Sequence, residues 1–157
     1  IFIVGNERKF LNITKKRFLK LKKIEIKKNY FFSEVNMTTY AGKFSTEYHN
    51  LPLCNPDFIY LDGPDQFNIK KKVNNFTTGH KDMMPMVSDI LKMEYFLTPG
   101  TIIVSDGRSA NCKFLKDHFK RKWLHKHDLE NDQHIFYLDD PCLGKYNRMQ
   151  LEFYKRK

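Results

Sequence analysis

The run Asp57-Phe58-Ile59-Tyr60-Leu61-Asp62-Gly63-Pro64-Asp65 gives the rest of the chain its frame. Asp57–Leu61 is a compact apolar run, suited to a buried strand, that stops at the acid Asp62. Gly63-Pro64 cannot extend the ladder, because proline has no N–H to donate and glycine no side chain to pack. A buried strand ending in an acidic loop is predicted. The pattern returns at Thr101-Ile102-Ile103-Val104-Ser105-Asp106-Gly107-Arg108. Before it, Met86, Ile90, Met93 and Leu97 recur at helical spacing, and Thr98-Pro99-Gly100 closes that helix.

Upstream, Ile1–Val4 reads as a strand ending at the turn signal Gly5-Asn6, and Phe10, Ile13, Thr14, Phe18 and Leu21 mark a lysine-rich amphipathic helix. Tyr30–Val35 reads as a short strand, while Asn36–Asn55 shows no readable period. Downstream, Phe114, Leu115, Phe119 and Trp123 form the apolar face of a basic helix that starts at Ser109 or Ala110. His134–Leu138 and Met149–Tyr154 read as strands joined by the turn-rich Asp139–Asn147, which predicts an antiparallel pair. Continuous apolar strands alternating with helices predict an α/β fold, a mostly parallel sheet with helices on both faces.

At 157 residues the chain has the length of a single domain. A composition 41% hydrophobic and 15% aromatic excludes the disordered class. The formal charge of +10 is spread over Lys15–Lys28, Lys70–Lys72, Lys113–Lys126 and Lys155–Lys157, a distribution read mainly as solvated faces, with nucleic acid a less favoured partner. Cys54, Cys112 and Cys142 are widely spaced and form no CxxC, which argues against a disulfide framework or a zinc site and suggests a cytoplasmic protein. No apolar run approaches the ~20 residues a bilayer requires, so no membrane insertion is expected. The chain opens inside an apolar β-type run without an initiator Met, and residues upstream are expected to be missing.

DFIYLDGPD, FLTPG, TIIVSDGR and the pair HIFYLDD with MQLEFY together resemble the class I, Rossmann-like S-adenosylmethionine-dependent methyltransferases. DGRSANCKFLKDHFKRKW is also similar to a poorly characterised methyltransferase-like group often associated with surface-glycan biosynthesis. The resemblance implies one domain over 1–157 that lacks the first strand and its glycine-rich loop. Ile1–Val4 then corresponds to the family's second strand and Tyr30–Val35 to its third. S-adenosylmethionine is the implied cofactor, with Glu7 beside the ribose hydroxyls and Glu34 and Asn36 on the adenine side. The implied function is O-methyl transfer to a hydroxyl acceptor such as a sugar or glycan precursor, the displayed chain alone being inactive. The rival class is a non-catalytic domain that uses the same sheet to bind a nucleotide, nucleic acid or protein.

Ligands of open parallel sheets bind beyond the carboxyl ends of the strands, so Asp62 and Asp106 are expected at one edge, to orient or deprotonate an acceptor and, for Asp62, to touch the cofactor. Each could instead cap the turn that follows it. His80, in Gly79-His80-Lys81-Asp82, is a candidate proton acceptor. Asp65, Arg108 and Asn111 are candidate substrate contacts; Arg108 could clamp a carboxylate or phosphate, or pair with Asp62 or Asp106. Asp106-Gly107 lacks the acid–amide pair of metal-dependent O-methyltransferases, and a divalent metal is not expected. His118, His125, His127 and His134 are assigned to surface or packing, Met83, Met84 and Met86 to the core, and Trp123 to a packing anchor.

Overall fold

The computed structural model describes residues 1–21 and 26–155. In chain order the elements are β1 (Phe2–Gly5), α1 (Arg8–Lys20), β2 (Asn29–Phe32), β3 (Val35–Tyr40), β4 (Lys43–Tyr48), β5 (Phe58–Leu61), β6 (Ile69–Lys70), α2 (Asp89–Met93), β7 (Ile102–Asp106), α3 (Ser109–His118), β8 (Trp123–Asp128), β9 (Gln133–Leu138) and α4 (Lys145–Lys155). A 3-10 turn over Glu94–Phe96 prolongs α2.

The expected Rossmann-like, mostly parallel sheet is not formed. Among the described residues the strands fall into three sheets, β1-β2, β4-β3-β6 and β5-β7-β9-β8, and the two larger ones mix parallel with antiparallel pairs. The physical reason is the connections. Parallel neighbours need a long crossover, whereas two of the chain's links are short turns that can only fold a strand back on its predecessor. No helix of the described residues is long and apolar enough to cross a membrane.

The chain divides into two compact units. The first comprises Ile1–Leu53 and Gly63–Val87. In it β1 and β2 pair in parallel through the α1 crossover, from Phe2 opposite Asn29 to Gly5 opposite Phe32. The second strand is thus shorter than the expected Tyr30–Val35, and Val35 already belongs to β3. The unread stretch after it is a hairpin: Ala41 and Gly42 both adopt positive φ (49° and 73°), the two-residue turn whose twist matches that of the flanking strands. Val35, Met37 and Val87 are buried, as are Ser45 and Thr46, and the Thr46 amide donates to the Met86 carbonyl. Met83, Met84 and Met86, expected in the core, all fall outside that buried set: Met83 and Met86 are half-buried and Met84 is exposed.

The second unit comprises Cys54–Asp62 and Ser88–Lys157. Here β5 and β7 are parallel neighbours, and β9 runs antiparallel between β7 and β8. Ile103, Leu115, Phe136, Leu138 and Leu97 fill its core, each at most 1% exposed.

An antiparallel pair does close this sheet, but its members differ from those expected. The basic helix stops at His118, and Trp123 begins β8. To continue α3, the amides of Lys120 and Arg121 would bond carbonyls one turn back. Both instead donate to the carboxylate of Glu94, at 3.0 and 2.8 Å, and the chain leaves the helix there. Asp128 then turns β8 into β9 by accepting from the Glu130 and Asn131 amides.

Met149–Tyr154, expected as a strand, lies inside α4. Met149, Leu151 and Phe153 alternate with polar residues as a strand would, but Asn147 and Leu151 are also one helical turn apart, and that spacing is the one used. Asn147 donates to the Pro99 carbonyl at 3.0 Å, and Leu151 lies where a side chain on Gly100 would be. Gly100 has φ +95°, so the Thr98-Pro99-Gly100 turn needs glycine for both its backbone and its neighbour.

Candidate functional site at the β5–β7 edge

Register places two of the expected residues side by side. Leu61 lies opposite Ser105 at the end of the parallel β5–β7 pair, so Asp106 ends β7 at the carboxyl edge where Asp62 leaves β5. Both side chains are exposed. The Tyr60 hydroxyl donates to Asp106 Oδ2 at 2.9 Å. That bond, then partial burial and the charges of Asp106 and Asp62, raise the phenol's pKa above its ordinary value. Arg108 reaches back to β5: its Nη2 donates to the Asp62 carbonyl at 2.9 Å, and its Nε stands 3.6 Å from Asp62 Oδ1. The Arg108 side chain is only 14% exposed, and it braces the two strand ends against each other. Asn111, in the first turn of α3, is fully buried and belongs to the packing beneath the edge.

The remaining candidates lie in the first unit. Glu7 and Glu34 follow β1 and β2, whose last registered pair is Gly5 and Phe32, so the two acids leave adjacent parallel strands at one carboxyl edge. Carboxylates at such an edge can accept from a ribose hydroxyl or an adenine amine, although β1 and β2 form a two-stranded sheet of their own. Glu34 is exposed, and its carbonyl accepts from the His49 amide. Glu7 accepts from the Asn68 side chain. Asn36 does not share the edge: it is buried within β3, between Glu47 and Lys70 on the neighbouring strands. The Asp65 backbone is bracketed by Asn6, whose Oδ1 accepts from its N–H (3.2 Å) and whose Nδ2 donates to its carbonyl (3.4 Å), while Asp65 Oδ1 accepts from the Phe67 amide at 2.7 Å. His80 is exposed; its Nδ1 accepts from the Asp82 amide (3.2 Å) and lies 3.5 Å from the Asp82 carboxylate.

Beside the β7 end lies a group that sequence reasoning did not assemble. His125 and His127 alternate on β8, and His127 lies opposite His134 on β9, so all three imidazoles share one face of the sheet. His134 Nδ1 is 3.0 Å from His125 Nε2, and His134 Nε2 is 2.9 Å from the Ser109 hydroxyl. His127 stacks on His134 with ring centroids 3.9 Å apart. The signal available was the period of two in His125-Lys126-His127, which the helical reading of Phe119 and Trp123 concealed. His118 stands apart, its Nδ1 against the Phe114 carbonyl one turn earlier in α3. Among the described residues no cluster of three or more His, Cys, Asp or Glu is arranged to hold a metal ion.

In comparison with known proteins, no family model, no curated protein and no solved structure matches the chain.

Proposed function

We propose that the protein transfers a methyl group from S-adenosylmethionine to a hydroxyl of a small acceptor, a sugar or glycan precursor. The observation that carries this reading is the pair of exposed acids at the ends of adjacent parallel strands, with a tyrosine hydroxyl already bound to one of them. Asp106 and Tyr60 can both accept from an acceptor's hydroxyls, the tyrosine's own proton being held on Asp106. A carboxylate so placed orients the attacking oxygen and takes its proton as the new bond to carbon forms. Arg108, held on Asp62, keeps the two strand ends in register and contributes a fixed positive charge. Within the first unit, Glu7 and Glu34 are by themselves suited to accept from a nucleoside's hydroxyls and base. S-adenosylmethionine supplies an electrophilic methyl on a sulfonium that departs as a neutral thioether.

The test is calorimetric titration of the product of the whole gene with S-adenosylmethionine, followed by transfer of labelled methyl groups to a panel of sugars. Saturable binding, with transfer reduced about 100-fold in Asp106→Asn, is expected. Absence of any binding heat sinks the reading.

A second reading has one observation of its own. α1 presents Arg8, Lys9, Lys15, Lys16, Arg17 and Lys20 and contains no acid, an arrangement suited to a polyanion such as nucleic acid. Its affinity for single-stranded RNA should fall steeply with salt. A flat dependence counts against it.

A further inference from the structure

The hydroxyl of Ser109 is placed as an activated nucleophile. β7 ends at Asp106, Gly107 turns the chain with φ +58°, and Ser109 opens α3. A side chain at such a strand-to-helix turn projects from the end of a sheet. β9 supplies the partner. Its antiparallel register sets Ser105 opposite His134, so the imidazole arrives beside the turn from the neighbouring strand.

The three groups are graded in exposure as a nucleophile, its base and an orienting group need to be. Ser109 is exposed, His134 is 5% exposed and His125 is half-buried. Their separations, 2.9 Å from hydroxyl to His134 Nε2 and 3.0 Å from His134 Nδ1 to His125 Nε2, accommodate one continuous hydrogen-bonded series. In it Ser109 donates to His134 Nε2, and the proton on His134 Nδ1 goes to His125 Nε2, which fixes the tautomer that leaves Nε2 free to accept. Burial lowers the proton affinity of His134 below that of a free imidazole, which favours the neutral form that can act as a base. Stacking of His127 on one side fixes the plane of the ring. Because α3 begins at Ser109, the first-turn amides that no helix can satisfy internally lie next to the hydroxyl, where an oxyanion would need donors.

We propose that Ser109 is the nucleophile of a second activity, the hydrolysis of acyl esters, with His134 as its base and His125 as the residue that positions His134. The Ser109 oxygen adds to the ester carbonyl carbon while its proton passes to His134 Nε2. The carbon–oxygen bond to the alcohol breaks, and the departing oxygen takes that proton, leaving acyl-Ser109. Water then adds to the acyl carbon and gives a proton to His134. Cleavage of the bond to Ser109 returns the proton to its hydroxyl and releases the carboxylic acid. Ester and water become acid and alcohol, with no change of oxidation state.

The experiment treats the full chain with a fluorophosphonate probe and with p-nitrophenyl acetate, neither of which involves S-adenosylmethionine. The expected result is a covalent adduct located by peptide mass spectrometry on Ser109, absent in Ser109→Ala. The labelling rate should fall about 100-fold in His134→Gln and about 10-fold in His125→Gln. His118→Gln, at a histidine that stands outside the series against the Phe114 carbonyl, should label nearly as fast as the parent. If His134→Gln fails to fold, His125→Gln and the pH profile decide: the parent's labelling rate should rise with pH through a single titration below about 6.5 and then level off. An unlabelled parent, an adduct on another residue, or a rate unaltered by the histidine substitutions and by pH would overturn the proposal.

Discussion

Two imidazoles of the second unit are held short of their ordinary proton affinity. Burial is the largest cause for both; Lys116, His134 and His127 add to it at His125, and His127 adds to it at His134, where Asp132 works in the opposite direction. In the unfolded chain both rings take up protons near the ordinary value of 6.5, above the pH at which the folded protein does. Protonation therefore favours unfolding. The stability these rings confer is complete above about 6.5 and is lost as the pH falls through their lowered values. The thermal midpoint should drop between neutral pH and about pH 5. His134→Gln should flatten that drop, and equal drops in parent and variant would show that the cluster is not responsible. Composition could not reveal this. The four histidines near the end of the chain look dispersed in sequence, and only the pairing of β8 with β9 gathers three of them.

Glu94 decides where one element stops and the next begins. At 1% exposure its carboxylate accepts from the amides of Lys120 and Arg121 and from the indole of Trp123 at 3.0 Å. Arg121 returns from the other side, with Nη1 donating to the carbonyls of Glu94 and Leu97 and Nε to Asp140 at 2.6 Å. Glu94→Ala leaves three part-buried donors without that acceptor and should cost about 3 kcal/mol. Glu94→Gln keeps the shape but turns an amide toward donors, and should cost about 1–3 kcal/mol. Urea unfolding midpoints measure both, and a loss under about 0.5 kcal/mol for Glu94→Ala would refute the role. This is also why the helix boundary at His118 was illegible. Phe114, Leu115, Phe119 and Trp123 keep a helical period, and the acid that ends the helix lies far from it in sequence. β5 and β7 were legible because everything that defines them is local: a short apolar run, then Asp62-Gly63-Pro64 or Asp106-Gly107. The closing pair was half legible. β9 announces itself, while its partner was sought in Met149–Tyr154, a segment whose period serves strand and helix alike and whose contacts with Pro99 and Gly100 choose the helix.

The formal charge of +10 is a property of the whole chain, and at low ionic strength it repels itself in any compact state. Raising salt from about 10 mM to about 150 mM shortens the screening length from roughly 30 to 8 Å. The thermal midpoint should therefore rise over that interval, as differential scanning fluorimetry would detect. A fall would mean that ion pairs such as Arg121–Asp140 and Lys122–Asp139 outweigh the general repulsion. The chain also carries a single tryptophan, and Trp123 sits in the second unit with its indole bound to Glu94 and its ring stacked 4.6 Å from Phe119. Light absorbed selectively by that ring makes the Glu94 junction the one luminous point of the molecule. The first unit is dark in the same channel. Emission followed beside the circular dichroism of the whole chain thus offers a stopwatch on one unit without labelling either, and a gap between the two signals would time the loosening of β8 from α2.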